Sequence, residues 1–196
     1  NSQNKKNLIT IITVCKNSEK TIEKTIQSVL NQKYKNIEYI VIDGGSHDST
    51  KKIIEKYKDK ISYFISEKDK NLYDAFNKGK EKVNGKMFGY VNSDDVLLPN
   101  AIETLVQYYN NYPDVDFIFG SVKKNWGLIH GYKPWKIYYS WNFYTSHSTG
   151  FFIKKDSAKK VGNYDITFEH TSDWDYLYRA IVVNKLKGIA TKKNEV

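Results

Sequence analysis

Acids recur at a few well-separated places in this chain: Asp43 before two glycines, Glu67 and Asp69, the pair Asp94-Asp95, and Asp173 near the end. Gathering ionised carboxylates costs electrostatic free energy unless a cation or hydrogen-bond donors offset it. A divalent ion, Mn2+ or Mg2+, bridging protein carboxylates to a substrate diphosphate would do so, because such ions prefer oxygen ligands. Each position also has a plain structural reading. Asp43-Gly44-Gly45 is ordinary turn chemistry, Asp94-Asp95 could end a turn and cap a helix, and Asp173 could cap another through the macrodipole.

The elements that would position these acids follow from the apolar pattern. Leu8 to Val14 is a β-branched run of the kind buried on both faces of a parallel sheet. Ile22, Ile26, Val29 and Leu30 then recur at helical spacing, with Ser18 placed to cap that helix. Further strands are expected at 37–42, 61–65, 87–91 and 116–120, and helices after Asp48, over 72–83 and from Pro99. This alternation over residues 1–120 predicts an α/β fold of βαβ units around a mostly parallel sheet. In such a sheet ligands bind beyond the carboxyl ends of the strands. Asp43, Glu67 with Asp69, and Asp94-Asp95 each follow a strand, so they would face one edge.

Composition narrows the partners. The net charge is +9, but the lysines are scattered and form no basic block. That argues against nucleic acid and leaves a phosphorylated substrate or an anionic membrane surface. The one cysteine, Cys15, can form no internal disulfide, which fits a reducing cytoplasm. No apolar run approaches the ~18 residues of a spanning helix. No G-x-G-x-x-G, P-loop or G-x-S-x-G motif is present, so dinucleotide, P-loop and serine-hydrolase chemistry lack their anchors.

Four blocks in order then carry a resemblance. They run from Thr13 to Ile22, from Ile40 to Thr50, from Ser66 to Gly79 and from Gly89 to Asp95, with Ile42-Asp43-Gly44-Gly45 in the second, Asp74-Ala75-Phe76-Asn77-Lys78-Gly79 in the third and Asn92-Ser93-Asp94-Asp95 in the fourth. Together they resemble the opening half of an inverting family-2 glycosyltransferase. The resemblance implies the GT-A fold, a nucleotide-diphospho-sugar donor (a UDP-sugar) and a divalent metal. It puts Val14 and Asp43 at the base, with Asp43 accepting from a uracil-like ring N–H, and Lys16 among the donor-binding positions. Lys16 stands where relatives often carry an aromatic residue. Asp69 and Asn77 fall at further nucleotide positions, Asp94 near the ribose, and Asp95 on the metal. In the second half Ser146 to Phe152 and Thr171 to Arg179 are similar to the family's later segments, which would make Asp173 the general base.

The chain thus reads as one domain, 1–196, with a donor half (1–120) and an irregular or antiparallel acceptor half (121–196). The missing initiator Met and the end soon after the last helix lead us to expect trimming upstream and truncation on the acceptor side. The acceptor would be a glycan or lipid-linked saccharide in surface polysaccharide synthesis, in the cytoplasm or at the inner face of the membrane. His147 is equally a structural histidine or a phosphate contact. The aromatic segment 133–144 fits a core lid, a platform for sugar rings or a membrane contact. Two other functions stay open: a non-catalytic glycan- or membrane-binding domain, and a sugar nucleotidyltransferase, which would want a glycine within Cys15-Lys16-Asn17-Ser18.

Overall fold

The structure, a computed structural model, describes residues 7–125, 127–138, 148–168 and 170–192. His147 and the aromatic residues from Tyr139 to Tyr144 lie outside them.

Strands β1 (Ile9–Cys15), β2 (Ile37–Asp43), β3 (Tyr63–Ser66) and β4 (Met87–Tyr90) alternate with helices α1 (Ile22–Leu30), α2 (Thr50–Glu55) and α3 (Leu72–Glu81). Helix α4 (Ala101–Asn111), strand β5 (Phe117–Phe119) and an antiparallel pair, β6 (Val122–Lys124) and β7 (Gly127–Ile129), follow. The rest comprises β8 (Phe151–Lys154), α5 (Lys155–Val161), α6 (Ser172–Tyr178) running into a π-turn, and β9 (Gly188–Ala190). Seven strands form one sheet in the order β3-β2-β1-β4-β8-β5-β9, parallel throughout except for β8. The expected α/β architecture is therefore present. Its antiparallel member comes from the second half and sits inside the main sheet.

Every residue of β1 is buried, as a strand with helices on both faces requires. Ile12 and Val14 pack towards Phe76 on α3, whereas Ile9, Ile11 and Cys15 pack towards Ile22 and Ile26 on α1. Each such fully buried isoleucine contributes about 1.5–3 kcal/mol of transfer free energy. Gly79 lets α3 settle on β1, since a Cβ there would lie 2.5 Å from Ile12 Cγ2.

Two helix starts differ from expectation. Ser18 does not cap α1: the helix begins at Ile22 after a turn closed on the Ser18 carbonyl, and the Ser18 hydroxyl pairs with Ser93 instead. Helix α4 begins at Ala101, and Pro99 lies in the preceding turn with its carbonyl accepting from Lys33 N–H.

The strand order also locates the ligand edge. From β1 the chain moves outward through β2 to β3, then returns to place β4 on the other side of β1. The loops after β1 and β4 therefore diverge at a switch point, where an open α/β sheet leaves a crevice.

Candidate active site

The register decides which carboxylates face that crevice. Parallel pairing sets Cys15 level with Asp43 and Asp43 level with Ser66. The Asp43 carboxylate is completely buried, and its donors come from this row and the following turn. Ser66 Oγ donates at 2.6 Å and Ser46 N–H at 3.1 Å, and the Ser46 hydroxyl adds a further short bond. The Cys15 thiol lies 3.7 Å away. Burial, then the adjacent Asp43 charge, raise the Cys15 pKa well above the ordinary thiol range, so it stays protonated. Asp43 thus organises the strand ends from below. It was expected to read a base, but it lines neither described cavity of the site.

The loops after β1, β2 and β4 are laced together over this row. Asn17, at φ 51°, donates its N–H to Ser46 Oγ at 2.8 Å and accepts from His47 N–H at 2.9 Å. Ser18 N–H reaches Thr50 Oγ1 at 2.7 Å, and the Ser18 and Ser93 hydroxyls meet at 2.8 Å. These bonds fix loops that would otherwise be mobile, a precondition for a pre-formed site.

At the switch point lies a cavity of about 520 Å³, within the range of small-molecule sites. Val14, Lys16, Asp69 and Asp94 all line it, together with Asn71 and Leu72 at the start of α3. Four of the sequence-predicted donor residues are thereby gathered. A second cavity of about 450 Å³ lies on the α1 side and shares Ser93 and Asp94 as its wall.

Asp69 has a partner that sequence reading did not single out. Lys78 Nζ lies 2.6 Å from Asp69 Oδ1, 2.8 Å from Glu67 Oε1 and 3.6 Å from Asp74 Oδ2. Burial raises the Asp69 pKa, and the Lys78 hydrogen bond and charge oppose the rise. On Lys78 burial acts downwards, but the bonds to Asp69 and Glu67 outweigh it and hold the ammonium well above its usual range. The acids after β3 therefore have a counter-ion of their own in Lys78. The i,i+4 spacing of Asp74 and Lys78 was the available signal.

The pair after β4 is different in kind. Asp94 is exposed, and no described residue bonds its carboxylate. Asp95 is half-buried, with Oδ2 accepting from the Thr149 hydroxyl and from Asn92 Nδ2 at 3.3 Å. Its carbonyl accepts from Thr25 Oγ1 at 2.7 Å. Among the described residues no group of three or more His, Cys, Asp or Glu is arranged to hold a metal ion. Two consecutive carboxylates at the lip of a cavity do match an ion that completes its shell with water and substrate phosphate oxygens, as Mg2+ commonly does.

Asn77 is not brought to the cavity. Its Nδ2 donates to the Tyr164 carbonyl at 2.9 Å and its Oδ1 accepts from Tyr164 N–H at 2.9 Å, so both amide groups hold the acceptor half to α3. Asp173 opens α6, where Oδ1 accepts from Trp174 N–H at 2.9 Å and from the Tyr73 hydroxyl at 3.4 Å. Burial, then the Asp173 charge, push the Tyr73 phenol up to about 12. Asp173 does not line the donor cavity; the tyrosine it bonds, Tyr73, follows Leu72, which does.

Comparison with known proteins adds identity to this geometry. An uncharacterised glycosyltransferase of Rickettsia typhi is 29% identical over 192 residues, covering 91% of this chain and 60% of its own length. One from Mycobacterium tuberculosis is 28% identical over 182 residues, covering 89% of this chain and 69% of its own. The chain thus spans about 60% of the length of the first curated relatives it matches. Among solved structures, Staphylococcus aureus TarS 1–349 in complex with UDP-GlcNAc superposes with a TM-score of 0.80 at 17% identity, covering 95% of this chain and 56% of that one. Glucosyl-3-phosphoglycerate synthase from M. tuberculosis, in complex with Mn2+, UDP and phosphoglyceric acid, gives 0.73 at 15%, covering 94% and 68%. At these identities the likeness concerns the fold, which is the expected GT-A arrangement. The glycosyl transferase family 2 signature matches residues 10–176, most of the chain, and the protein belongs to that family.

Proposed function

We propose that this domain binds a nucleotide-diphospho-sugar, a UDP-sugar, and transfers its sugar with inversion to a hydroxyl of a glycan or lipid-linked saccharide. The observation that carries the reading is the cavity at the β1/β4 switch point, lined at once by Val14, Lys16, Asp69 and Asp94. The UDP and UDP-GlcNAc complexes of TarS support the choice of nucleotide. The Mn2+ in the M. tuberculosis synthase supports a metal, which Asp94 and Asp95 would hold. A divalent ion bound there would offset charge developing on the departing diphosphate.

The chain's own residues do the remainder. Lys16 and the strand-end backbone orient the donor, and Asp69 accepts from its nucleoside. Asp173 removes the proton from the acceptor hydroxyl, whose oxygen bonds to the anomeric carbon as the carbon–phosphate-oxygen bond breaks on the opposite face. Exposed Trp135 and Tyr138, with Lys133 beside them, support an acceptor met at an anionic membrane surface on the cytoplasmic side, in surface polysaccharide assembly.

The test is a thermal-shift panel of nucleotide sugars with and without Mn2+. A metal-dependent rise in Tm with at least one UDP-sugar is expected, and sugar transfer should be lost in Asp173→Asn while that rise persists. No shift with any member of the panel would reject the reading.

A further inference from the structure

The three carboxylates around Lys78 are arranged asymmetrically. Lys78 takes Oδ1 of Asp69 at 2.6 Å, which fixes the plane of that carboxylate and turns Oδ2 towards the turn after β2. There Oδ2 lies over Gly44, where a Cβ would come within 2.8 Å of it. The Lys16 Cδ would lie 3.5 Å from the same Cβ position, so Asp69 Oδ2 and the Lys16 stem both border the open face of Gly44 at the cavity wall. The Asp69 side chain is only 7% exposed, so few other rotamers are open to it.

We infer that Lys78 is a positioning residue that holds Asp69 as an ionised, singly committed acceptor for the nucleoside end of the donor. This rests on the donor-binding reading above and deepens it. Of the three carboxylates around Lys78 only Asp69 lines the cavity, which Lys16 and Lys70 also line. An ionised carboxylate there accepts from a base N–H or ribose hydroxyl, and the lysine ammonium groups attract phosphate. The donor is thereby oriented with its nucleoside towards Asp69 and its diphosphate towards Lys16 and the Asp94 side.

The groups facing Asp69 are Lys78 and Asp74 from α3, Glu67 from its own loop, and Lys16 and Cys15 from the end of β1. Burial already raises the Asp69 pKa, and Lys78 is the group that lowers it. Without the ammonium the pKa climbs further. Donor binding that needs the ionised form is lost as pH falls through that pKa, so the loss moves to higher pH.

The experiment is calorimetric titration of UDP, with GDP run beside it, at constant Mg2+ from pH 5 to 8.5, on the wild type and on Lys78→Met, Lys78→Gln and Lys78→Arg. Lys78→Met should bind about 10- to 100-fold more weakly at pH 7, the range of one lost charged hydrogen bond. Its binding midpoint should lie at higher pH than that of the wild type, and Lys78→Arg should restore both. Lys78→Gln, which keeps a donor without the charge, is read in the same way if the Met variant does not fold. An unchanged midpoint in a folded uncharged variant overturns the positioning role, whatever its affinity. A wild type that binds neither UDP nor GDP removes the donor reading itself, and this inference with it.

Discussion

Asn77 and Tyr164 exchange two hydrogen bonds, amide Nδ2 to carbonyl and backbone N–H to amide Oδ1, each 2.9 Å long. A side chain here acts as a strand edge, pairing the helix behind the donor cavity to a segment 87 residues later. The Tyr164 ring stacks on Tyr176 at a centroid distance of 4.2 Å and meets Phe76 edge-on at 5.4 Å. The contact joins the two halves of the domain.

Asn77→Ala should therefore be a stability variant. It strands a backbone donor and acceptor, a cost of about 2 kcal/mol. For a domain of this size that corresponds to a Tm lower by about 4–8 °C in calorimetry. UDP affinity of the folded fraction should equal that of the wild type. A large affinity loss without a change in Tm would return Asn77 to the nucleotide.

Asp94 and Asp95 should separate in their effects. Asp94→Ala removes an exposed carboxylate that no described residue bonds, so unfolding free energy without ligand should stay within about 0.5 kcal/mol of the wild type. Its metal-dependent thermal shift should vanish. Asp95→Ala takes an acceptor from Thr149 and Asn92 and should cost about 1 kcal/mol as well as the shift. Circular-dichroism melts with and without Mn2+ and UDP check both.

Gly44→Ala tests how tightly the Asp69 wall is set. The added methyl would lie 2.8 Å from Asp69 Oδ2, and Lys78 resists the movement that would relieve it. Gly44 is not among the positive-φ glycines, so the backbone itself accepts alanine. Donor affinity should fall about tenfold, equivalent to ~1.4 kcal/mol, with little change in Tm. Unaltered affinity would mean that Asp69 is free to swing aside.

Lys80 provides a stability signature in pH. Burial, then the nearby Arg179 charge, lower its pKa to about 8. The unfolded chain keeps a lysine value of roughly 10.4, so between these limits the unfolded state binds more protons. The contribution of Lys80 to stability therefore rises as pH goes from about 8 to 10, and is lost as pH falls back through 8. Lys80→Gln should lack this rise, measured as the difference between the two proteins in urea melts at pH 7 and pH 10. Parallel curves would show that Lys80 does not titrate there.

Much of this was readable from residues alone. The doubly apolar strand Leu8 to Val14, the acids at the ends of β2, β3 and β4 and the loop Asn92-Ser93-Asp94-Asp95 all appeared where local pattern put them, because side-chain period and strand-end chemistry are local properties. Residue spacing could not show orientation. Asp43 and Asp94 look equivalent as acids after strands, yet one is sealed beneath two serines and the other is open to solvent. Nor could spacing show which cation offsets each cluster of acids: after β3 it is Lys78, which lies on the next helix.

The sequence by itself determined the βαβ alternation, the family and the short set of acids from which a site could be built. Hydrophobic periodicity and turn chemistry operate over a few residues and survive without a partner. Tertiary structure decided that β8 enters the sheet antiparallel between β4 and β5, that Asn77 serves Tyr164, and that Asp69 faces the cavity under the hold of Lys78. Those outcomes depend on strand register and on contacts between segments far apart in the chain, whose energies no local window contains.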